Sequence, residues 1–431
     1  MGRAEPAPHT RRVLLVGATG FIGRHVQQAL QDAGHQVIAA ARRAYPGMLQ
    51  VALAQDTRPE DWLPRLQDID VVVNAAGAFM DRPGNQLDTL HGAGPIALFD
   101  AAVRAGVTRI VQISALGTEE GSTAYFATKQ QAARHLPGLP LDAAVLRPSL
   151  VFGIGGASAD IMLGVASMPL LVVPRVFRSR VQPVHVDDLA AAVVALVNGA
   201  PVPPRPLAVG GPESCTRTAY LQTLRLQIGL RTARVIEGPD AAVALGRLVP
   251  PLARSGLLGA DAMRMLAAGS SADPAPLAAL LGRPPRAASR FIPRDFAPAV
   301  AAQATLTWTT PLLCIAIAAL WFISGLVSMG IFPLEQSYAM LAATGIPPAL
   351  QPLMLFGAAA TDIALGFAVL LAGGRPPVWR LQILLVVFYT VVITVWLPQF
   401  WLHPFGPLSK NIPLLASFYM LQRLAVPRWN T

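Results

Sequence analysis

The sequence predicts an α/β domain with a doubly wound parallel sheet, followed by an all-α membrane domain of four helices. Two observations predict the first part: apolar runs alternate with stretches of helical spacing, and the runs are apolar throughout. Composition predicts the second part. The 431-residue chain is 53% hydrophobic and only 13% charged, whereas an average globular chain carries roughly 25% charge. The deficit lies mainly after residue 300, so lipid is the expected solvent there.

The strands of the first domain are predicted at the apolar runs 12–18, 37–41, 70–77, 109–114 and 142–149. Stretches with helical spacing lie near 21–34, 59–67, 86–105 and 123–135. Strands without polar alternation are typical of a parallel sheet covered on both faces, and right-handed crossovers then produce a doubly wound order. A further strand, cap and helix are predicted at 181–198 and again at 207–229.

We expect four segments along the chain: a flexible N-terminus (1–11), the α/β domain (12–230), a Pro-, Ala- and Arg-rich extension and linker (231–304), and a four-span membrane domain (305–427). The candidate spans are residues 310–332, 351–373, 381–398 and 411–427. The first contains 23 uncharged residues, which is long enough to cross a hydrocarbon core of about 30 Å.

Basic residues predict the orientation of these spans. Arg375 and Arg380 lie between spans two and three, Arg294 precedes span one, and Arg428 follows span four. The loop 333–350 contains no lysine or arginine. Because cytoplasmic loops carry the excess of basic residues, we expect a bacterial-type inner-membrane protein with both termini and the α/β domain in the cytoplasm. No apolar stretch typical of a cleavable signal peptide precedes the first strand.

Charge and cysteine usage exclude several classes of function. The net charge is +10, but the arginines are scattered and not interleaved with aromatic residues, which favours lipid headgroups over nucleic acid as partner. The two cysteines predict no disulfide framework, and no cluster with metal-ligand spacing predicts a metal site.

Asp362 lies in the middle of the second candidate span. A carboxylate at that depth is costly and by default indicates a paired or functional group. Arg423 and Lys410 are candidate partners if the spans form a bundle. Two alternatives remain open: a protonated Asp362 that bonds one helix to another, and a role near a quinone or a lipid headgroup.

Residues 17–23, GATGFIG, join the first strand to the first helix. The chain must turn sharply at Gly17, and a pyrophosphate needs bare backbone amides at the helix N-terminus. The motif therefore predicts a Rossmann-like dinucleotide-binding site. Its candidate cofactor-binding residues are Gly17, Thr19, Gly20, Phe21, Ile22 and Gly23.

Arg42 stands at the end of the second strand. A carboxylate in this place binds the 2′-hydroxyl of NAD, whereas an arginine suits the 2′-phosphate of NADP. We therefore expect NADP(H) to be favoured over NAD(H). The alternative is that Arg42 is a solvated surface residue.

Ser114 ends the strand 109–114, and Tyr125 and Lys129 follow it on a predicted helix, one turn apart. An ammonium beside a phenol lowers the pKa of the phenol and prepares it for proton transfer. Ser114 would then hold a substrate oxygen. Only two of the chain's 34 basic residues are lysines, Lys129 and Lys410. A coding bias towards Ala, Arg and Pro is one explanation of the low lysine count. The alternative is that Lys129 is retained where a compact ammonium serves better than a guanidinium.

GATGFIG, NAAG (74–77), Ser114, YFATK (125–129) and LRPSLVFG (146–153) occur in the order found in the short-chain dehydrogenase/reductase superfamily. Residues 12 to about 290 resemble its atypical branch, which includes the NADPH-binding accessory subunit of respiratory complex I. The resemblance implies a Tyr125 acid/base and a Lys129 that binds the ribose and tunes Tyr125. It also implies that the adenosine half of the cofactor lies beside Asp56, Asn74, Ala75, Ala76 and Gly77, and that the nicotinamide lies beside the segment from Pro148 to Val151.

Two further features extend this resemblance. His91 lies on the helix where many relatives have the asparagine of a proton relay, so it is either a structural residue or a relay member. The membrane domain resembles the four-helix DoxX-like domains that are fused to some reductases, chiefly through FGPLSKNIPLL (405–415).

Three functions follow as hypotheses. The first is a membrane-anchored NAD(P)H-dependent oxidoreductase acting on a carbonyl or hydroxyl of a lipophilic, quinone- or isoprenoid-like substrate. The second is a non-catalytic NADPH-binding accessory or assembly factor of a membrane protein complex. The third is a sugar-nucleotide epimerase or dehydratase, which Arg42 disfavours because such enzymes usually retain NAD.

Overall fold

The computed structural model describes residues 10–78, 86–119, 123–240, 260–404 and 406–425. The chain forms two compact units, Met1–Thr305 and Leu306–Thr431. The first is an α/β unit and the second is helical. Several predicted features lie outside the described residues: residues 1–9 of the N-terminus, Phe405, and the end of the fourth span with Arg428.

A seven-stranded parallel sheet forms the centre of the first unit. Its strands are β1 (Arg12–Val16), β2 (Gln36–Ala41), β3 (Leu49–Gln50), β4 (Val71–Asn74), β5 (Arg109–Ile113), β6 (Asp142–Pro148) and β11 (Leu207–Val209). The spatial order is β11-β6-β5-β4-β1-β2-β3. The chain reverses its direction of winding between β1 and β4, and ligands bind at such switch points beyond the carboxyl ends of the strands. The predicted doubly wound sheet is confirmed.

Helices pack on both faces of this sheet. They are α1 (Phe21–Asp32), α2 (Pro59–Trp62), α3 (Gly94–Arg104), α4 (Ala124–His135) and α6 (Val186–Val197). Two further helices, α5 (Ala157–Ser167) and α7 (Arg217–Gln227), form a separate apolar cluster. Alternate residues of β1 enter two separate apolar clusters, Val13 and Leu15 in one, Leu14 and Val16 in the other. Since successive side chains of a strand point to opposite faces, the sheet is buried on both sides.

Three short strand pairs extend the unit beyond the sheet. They are β7 (Val151–Phe152) with β10 (Val184–His185), β8 (Leu171–Pro174) with β13 (Val235–Gly238), and β9 (Arg180–Val181) with β12 (Cys215–Thr216). The first of these pairs follows the carboxyl end of β6, so it lies on the side where the candidate site is built.

The described part of the extension packs onto the α/β unit. It contains α8 (Ala260–Ala268) and α9 (Ala275–Leu281). Leu277 and Phe291 are 0% and 1% exposed, and Phe291 stacks on Phe152 with ring centroids 5.0 Å apart. These contacts differ from the loose linker expected over 231–304. They are made by isolated apolar side chains, which leave no periodic pattern in a Pro- and Ala-rich sequence.

The second unit begins within α10 (Ala297–Leu326). It also contains α11 (Leu334–Ala343), α12 (Gln351–Ala372), α13 (Pro376–Trp396) and α14 (Asn411–Leu424). Among the described residues, three segments are long and apolar enough to cross a bilayer: Arg294–Ile331, Pro348–Ala372 and Pro376–Trp396. Helix α14 has 14 residues, a length of about 21 Å, so a fourth span stays a prediction.

Asp362 lies in α12 and is 6% exposed. Its Oδ2 accepts a hydrogen bond from Ser324 Oγ at 2.7 Å. Among the described residues, neither Arg423 nor Lys410 forms an ion pair with it. The contact with Ser324 of α10 favours the alternative in which Asp362 bonds one helix to another. The rotation of each helix in the bundle decides which side chains meet, and the sequence does not encode that rotation locally.

Candidate functional site: a nucleotide-binding turn beside a buried tyrosine and lysine

The glycine turn after β1 places bare backbone at the carboxyl edge of the sheet. Gly17 has φ +85°, a left-handed conformation that only glycine adopts without steric cost. A β carbon on Gly17 would lie 2.7 Å from the Ala76 amide nitrogen. The backbone nitrogens of Gly17 and Ala18 both donate to the Ala40 carbonyl oxygen, which ties the turn to β2. Conformation and space therefore both require glycine here.

Gly20 and Gly23 allow α1 to begin directly against this turn. A β carbon on Gly23 would lie 2.1 Å from the Gly17 carbonyl oxygen, and one on Gly20 would lie 3.1 Å from it. Gly20 is the N-cap of α1, and the first turn contains no acidic residue. Amide groups at a helix N-terminus lack intrahelical partners and attract phosphate. The turn therefore fits a pyrophosphate.

The other motif residues surround this turn. Thr19 lies within it, and its carbonyl oxygen accepts a hydrogen bond from an arginine of α1. Ile22 packs against the apolar core. Phe21 packs beneath the loop after β7, where β carbons on Gly153 and Gly156 would lie 2.8 and 2.9 Å from its ring. Phe21 thus links the start of α1 to the segment that follows β6.

The Arg42 side chain is exposed to solvent, whereas the Asp56 carboxylate already accepts hydrogen bonds from its own loop and from Arg65. Arg42 follows β2 directly and its side chain is exposed. Asp56 Oδ2 accepts hydrogen bonds from the Ala52 backbone nitrogen and from Arg65 Nη1, both at 2.7 Å. Asp56 therefore anchors its own loop, and its place beside the adenosine stays a prediction.

The segment after β4 lies beside the glycine turn. Ala75 N donates to the Val16 carbonyl oxygen at 2.9 Å. Asn74 is buried; its Nδ2 donates to Gln112 Oε1 at 2.8 Å, and its Oδ1 accepts from Ala76 N at 3.1 Å. Sequence reasoning missed Gln112. Its signal was a polar residue inside the otherwise apolar run of β5.

Ser114, Tyr125 and Lys129 are buried, with 4%, 7% and 6% of their surfaces exposed. Lys129 Nζ lies 5.5 Å from the centre of the Tyr125 ring and donates to the Ile113 carbonyl oxygen at 3.4 Å. A β carbon on Gly77 would lie 3.4 Å from Lys129 Nζ. The fold thus brings Lys129 together with Tyr125, the end of β5 and the segment after β4. Among the described residues, Ser114 Oγ has no hydrogen-bond partner.

Burial decides the proton affinities in this cluster. It raises the pKa of the Tyr125 phenol and lowers the pKa of Lys129 to about 8. The sequence-based expectation that the ammonium lowers the pKa of the phenol is therefore wrong here, because removal from water outweighs the neighbouring charge. Tyr125 keeps its proton at neutral pH, which suits a proton donor better than a base.

His91 links the segment after β4 to the helix that carries Tyr125. Its Nε2 accepts from Ala78 N at 3.1 Å, and its Nδ1 lies 3.2 Å from Thr128 Oγ1. Thr128 Oγ1 in turn donates to the Tyr125 carbonyl oxygen at 3.1 Å. Burial, helped by Lys129, lowers the pKa of His91 to about 3.

This network holds His91 neutral and in one tautomer. Because Nε2 accepts a hydrogen bond from the Ala78 N–H, the ring proton sits on Nδ1 and points at Thr128. These contacts favour the structural alternative for His91. Thr128 was not singled out from sequence, although it lies inside the motif YFATK.

Pro148 and Val151 lie in the segment that follows β6. The Pro148 carbonyl oxygen accepts a hydrogen bond at 2.9 Å from the segment after β5, and Val151 pairs with Val184. Between them, Ser149 Oγ donates to the Ser270 carbonyl oxygen at 2.8 Å. The extension therefore supports the segment that the family resemblance assigns to the nicotinamide.

Two family models match the chain. An NAD(P)H-binding family matches residues 17–156, and a DoxX-like family matches residues 318–419. The first match covers the glycine turn and the Ser114, Tyr125 and Lys129 cluster. The second covers most of the described helical unit. Both resemblances that the sequence suggested are confirmed.

Reductases and a respiratory subunit are among the similar proteins. A (4-alkanoyl-5-oxo-2,5-dihydrofuran-3-yl)methyl phosphate reductase of Streptomyces griseus is 30% identical over 299 residues, covering 64% of this chain and 94% of the relative. A ceramide reductase of Caulobacter vibrioides is 28% identical over 190 residues, covering 42% and 60%. The mitochondrial NADH dehydrogenase (ubiquinone) 1 alpha subcomplex subunit 9 of Arabidopsis thaliana is 30% identical over 199 residues, covering 42% and 48%. The chain thus spans 60% of the ceramide reductase and about half of the NADH dehydrogenase subunit.

Solved structures share the fold of the first unit. The NADPH-dependent quinone oxidoreductase of Escherichia coli, solved with NADPH, superposes with a TM-score of 0.51 and 18% identity. The match covers 64% of this chain and 97% of that protein. At this identity the likeness shows a Rossmann-type dehydrogenase fold and nothing about the substrate.

Proposed function

Because the chain belongs to the NAD(P)H-binding family of short-chain dehydrogenase/reductase-like proteins and carries a DoxX-like domain, we propose that it is a membrane-anchored reductase. In this proposal it uses NADPH to reduce a carbonyl group of a lipophilic, quinone- or isoprenoid-like substrate. One observation carries the proposal: Ser114 Oγ is buried without a partner among the described residues, in a site that also buries a tyrosine and a lysine. A buried hydroxyl left unpaired is costly unless a ligand completes it.

The residues present fit the cofactor. Gly17, Gly20 and Gly23 leave the N-terminus of α1 open to a pyrophosphate, since β carbons on Gly17 and Gly23 would collide with backbone atoms. Arg42 is exposed at the end of β2, where a guanidinium pairs with a 2′-phosphate. Lys129 would bind the nicotinamide ribose through its ammonium group. The chemistry that NADPH supplies when bound is hydride transfer to the carbonyl carbon.

The protein's own residues would manage the substrate oxygen. The Ser114 hydroxyl donates a hydrogen bond to the carbonyl oxygen and orients it. As negative charge develops there, Tyr125 gives up its phenolic proton to that oxygen, and the nearby Lys129 ammonium stabilises the phenolate left behind. Burial keeps the phenol protonated before the reaction, since it raises the pKa of Tyr125.

The second unit would keep this chemistry close to a substrate that is dissolved in lipid. Three apolar segments of sufficient length support a membrane location. The orientation with the α/β unit in the cytoplasm of a bacterial-type inner membrane rests on the positive-inside rule. A membrane protein complex is the alternative partner.

Turnover of NADPH tests the proposal. The full chain in mild detergent is mixed with NADPH and an extract of bacterial membrane lipids, and NADPH absorbance is followed over time. Tyr125→Phe removes the proton donor, while Tyr220→Phe is the matched control. Tyr220 is also fully buried, and its hydroxyl has no partner among the described residues. We expect consumption that Tyr125→Phe abolishes and Tyr220→Phe leaves intact; equal loss or equal activity in both variants contradicts the mechanism.

A non-catalytic role is the second candidate, supported by the similarity to the NADH dehydrogenase subunit of Arabidopsis thaliana. An accessory protein would bind NADPH tightly without consuming it. Tight binding to wild type and Tyr125→Phe alike, with no turnover in the lipid extract, would favour this role over the reductase.

A further inference from the structure

Asp362 is an acidic side chain at the middle of an apolar helix. Eleven residues of α12 precede it and ten follow it. At a rise of about 1.5 Å per residue, it lies roughly 15 Å from either end of the helix. That distance is half the thickness of a hydrocarbon core of about 30 Å, so an α12 that spans the bilayer holds Asp362 near the midplane.

Close packing of α10 against α12 encloses this side chain. A β carbon on Gly325 would lie 2.8 Å from the Ala359 carbonyl oxygen and 3.3 Å from Asp362 Cβ. Because Gly325 has no side chain, the two helices can approach closely. Small residues commonly allow this at helix interfaces in membranes. The approach leaves Asp362 only 6% exposed and puts Ser324 Oγ 2.7 Å from its Oδ2.

The second carboxyl oxygen is left without a partner. Asp362 Oδ1 is buried and has no hydrogen bond among the described residues, and no described cation forms an ion pair with the group. Tyr389 of α13 lies within electrostatic range but is not hydrogen-bonded to it. Glu335 and Tyr338 of the neighbouring α11 make no described contact with it.

A carboxylate with one oxygen unpaired is unfavourable in hydrocarbon, so the group is stable there as the neutral acid. Because Ser324 Oγ donates its hydrogen bond to Oδ2, the acid proton is on Oδ1. Oδ1 has no hydrogen-bond partner among the described residues, so this acid hydroxyl needs an acceptor from elsewhere. Water is excluded from the bilayer core. Phospholipid ester carbonyls lie at the interface, about half a bilayer thickness away. The missing acceptor therefore belongs to a molecule whose carbonyl group enters the hydrocarbon.

We propose that Asp362 is a neutral carboxylic acid that donates its hydrogen bond to the carbonyl oxygen of a lipophilic molecule bound to the membrane unit. Ser324 holds the other carboxyl oxygen and so directs the acid hydroxyl towards that ligand. The site belongs to the second unit, and the proposal stands whether or not the first unit proves to be a reductase.

Carbodiimide labelling tests this in the full chain, reconstituted in phosphatidylcholine vesicles at pH 7. The hydroxyl of a neutral carboxyl adds across a C=N bond of dicyclohexylcarbodiimide: its proton goes to nitrogen and its oxygen to carbon. The adduct rearranges to a stable acylurea that mass spectrometry locates. Residues 306–431 contain two acidic residues, Glu335 and Asp362, so assignment is direct. The probe ligand is 2-heptadecanone, and n-heptadecane is its matched control without a carbonyl.

We expect the reagent to label Asp362 in the wild-type protein and the ketone to slow that labelling. At a ketone concentration of about ten times its Kd, the slowing is roughly tenfold, whereas the alkane has no effect. Glu335→Gln and Ser324→Ala should keep the labelling, and Asp362→Asn should lose it.

An unlabelled wild-type Asp362 that reacts once the protein is denatured at low pH overturns the neutral acid. Equal rates with ketone and alkane overturn the carbonyl ligand. Both results come from the wild-type chain, so they do not depend on whether a variant folds. NADPH affinity, measured on the same preparation, reports separately on the first unit.

Discussion

Replacing Gly23 with alanine tests the nucleotide-binding turn with a single methyl group. The new β carbon would lie 2.1 Å from the Gly17 carbonyl oxygen and 2.9 Å from its carbonyl carbon. Since favourable contacts begin near 3.5 Å, the start of α1 must move by more than about 1 Å relative to the turn. Both groups are backbone, so no flexible side chain absorbs the clash.

Two effects of this substitution oppose each other in stability. Overpacking costs about 1–3 kcal/mol, while alanine regains up to about 1 kcal/mol of helix propensity over glycine. We therefore expect a net loss of at most about 3 kcal/mol and a folded protein. NADPH binding should be affected more than stability, because a misplacement of about 1 Å at a functional site can reduce activity about a hundredfold. NADPH affinity should fall at least tenfold, by the same reasoning.

The assay is a fluorescence titration of NADPH against the full chain in detergent, with a thermal melt of each variant. Gly138→Ala is the matched control, because a β carbon there meets nothing within 4 Å. If Gly23→Ala binds NADPH with wild-type affinity, the turn is not the pyrophosphate site and the reasoning is refuted.

Three further variants test the rest of the first unit. Arg42→Ala should weaken NADPH about tenfold or more relative to NADH, because a hydrogen bond to a charged group contributes about 1.5–3 kcal/mol; an unchanged ratio of the two Kd values contradicts this. His91→Ala leaves the Ala78 N–H unpaired and should cost about 1–3 kcal/mol in a denaturation experiment, while His91→Gln restores an acceptor and should recover most of it. Lys129 has a pKa of about 8 in the folded chain against an ordinary 10.5. NADPH affinity should therefore fall as the pH rises through about 8. Between these two pKa values, Lys129 binds more protons in the unfolded chain than in the folded chain, so its contribution to stability rises with pH. Thermal melts of Lys129→Met should lack that rise.

Much of the nucleotide-binding unit could be predicted from sequence because its signals are local. Gly17 is required by its own left-handed backbone conformation, and Gly20 and Gly23 by their closeness to the Gly17 carbonyl oxygen. Each requirement appears in the sequence as a glycine at a set spacing. The uniformly apolar strands predict that the sheet is buried on both faces. The spacing of Tyr125 and Lys129 places both on one helix face.

The properties of the site's groups could not be predicted in the same way. Whether Lys129 lowers the pKa of Tyr125 depends on how much water the whole fold removes, and burial reversed the expected direction. The role of His91 depended on its contacts with Ala78 and Thr128. These three residues lie far apart in the sequence and are brought together only by the fold.

The sequence by itself determined the fold class, the nucleotide-binding turn and the apolar character of the second unit, because these follow from sterics and hydrophobic periodicity along the chain. Only the tertiary structure decided that Asp362 meets Ser324 instead of Arg423 or Lys410. It also decided that Leu277 and Phe291 of the extension enter the core of the α/β unit. Such pairings depend on the rotation and contact of whole elements, and their energy is shared among residues far apart in the sequence.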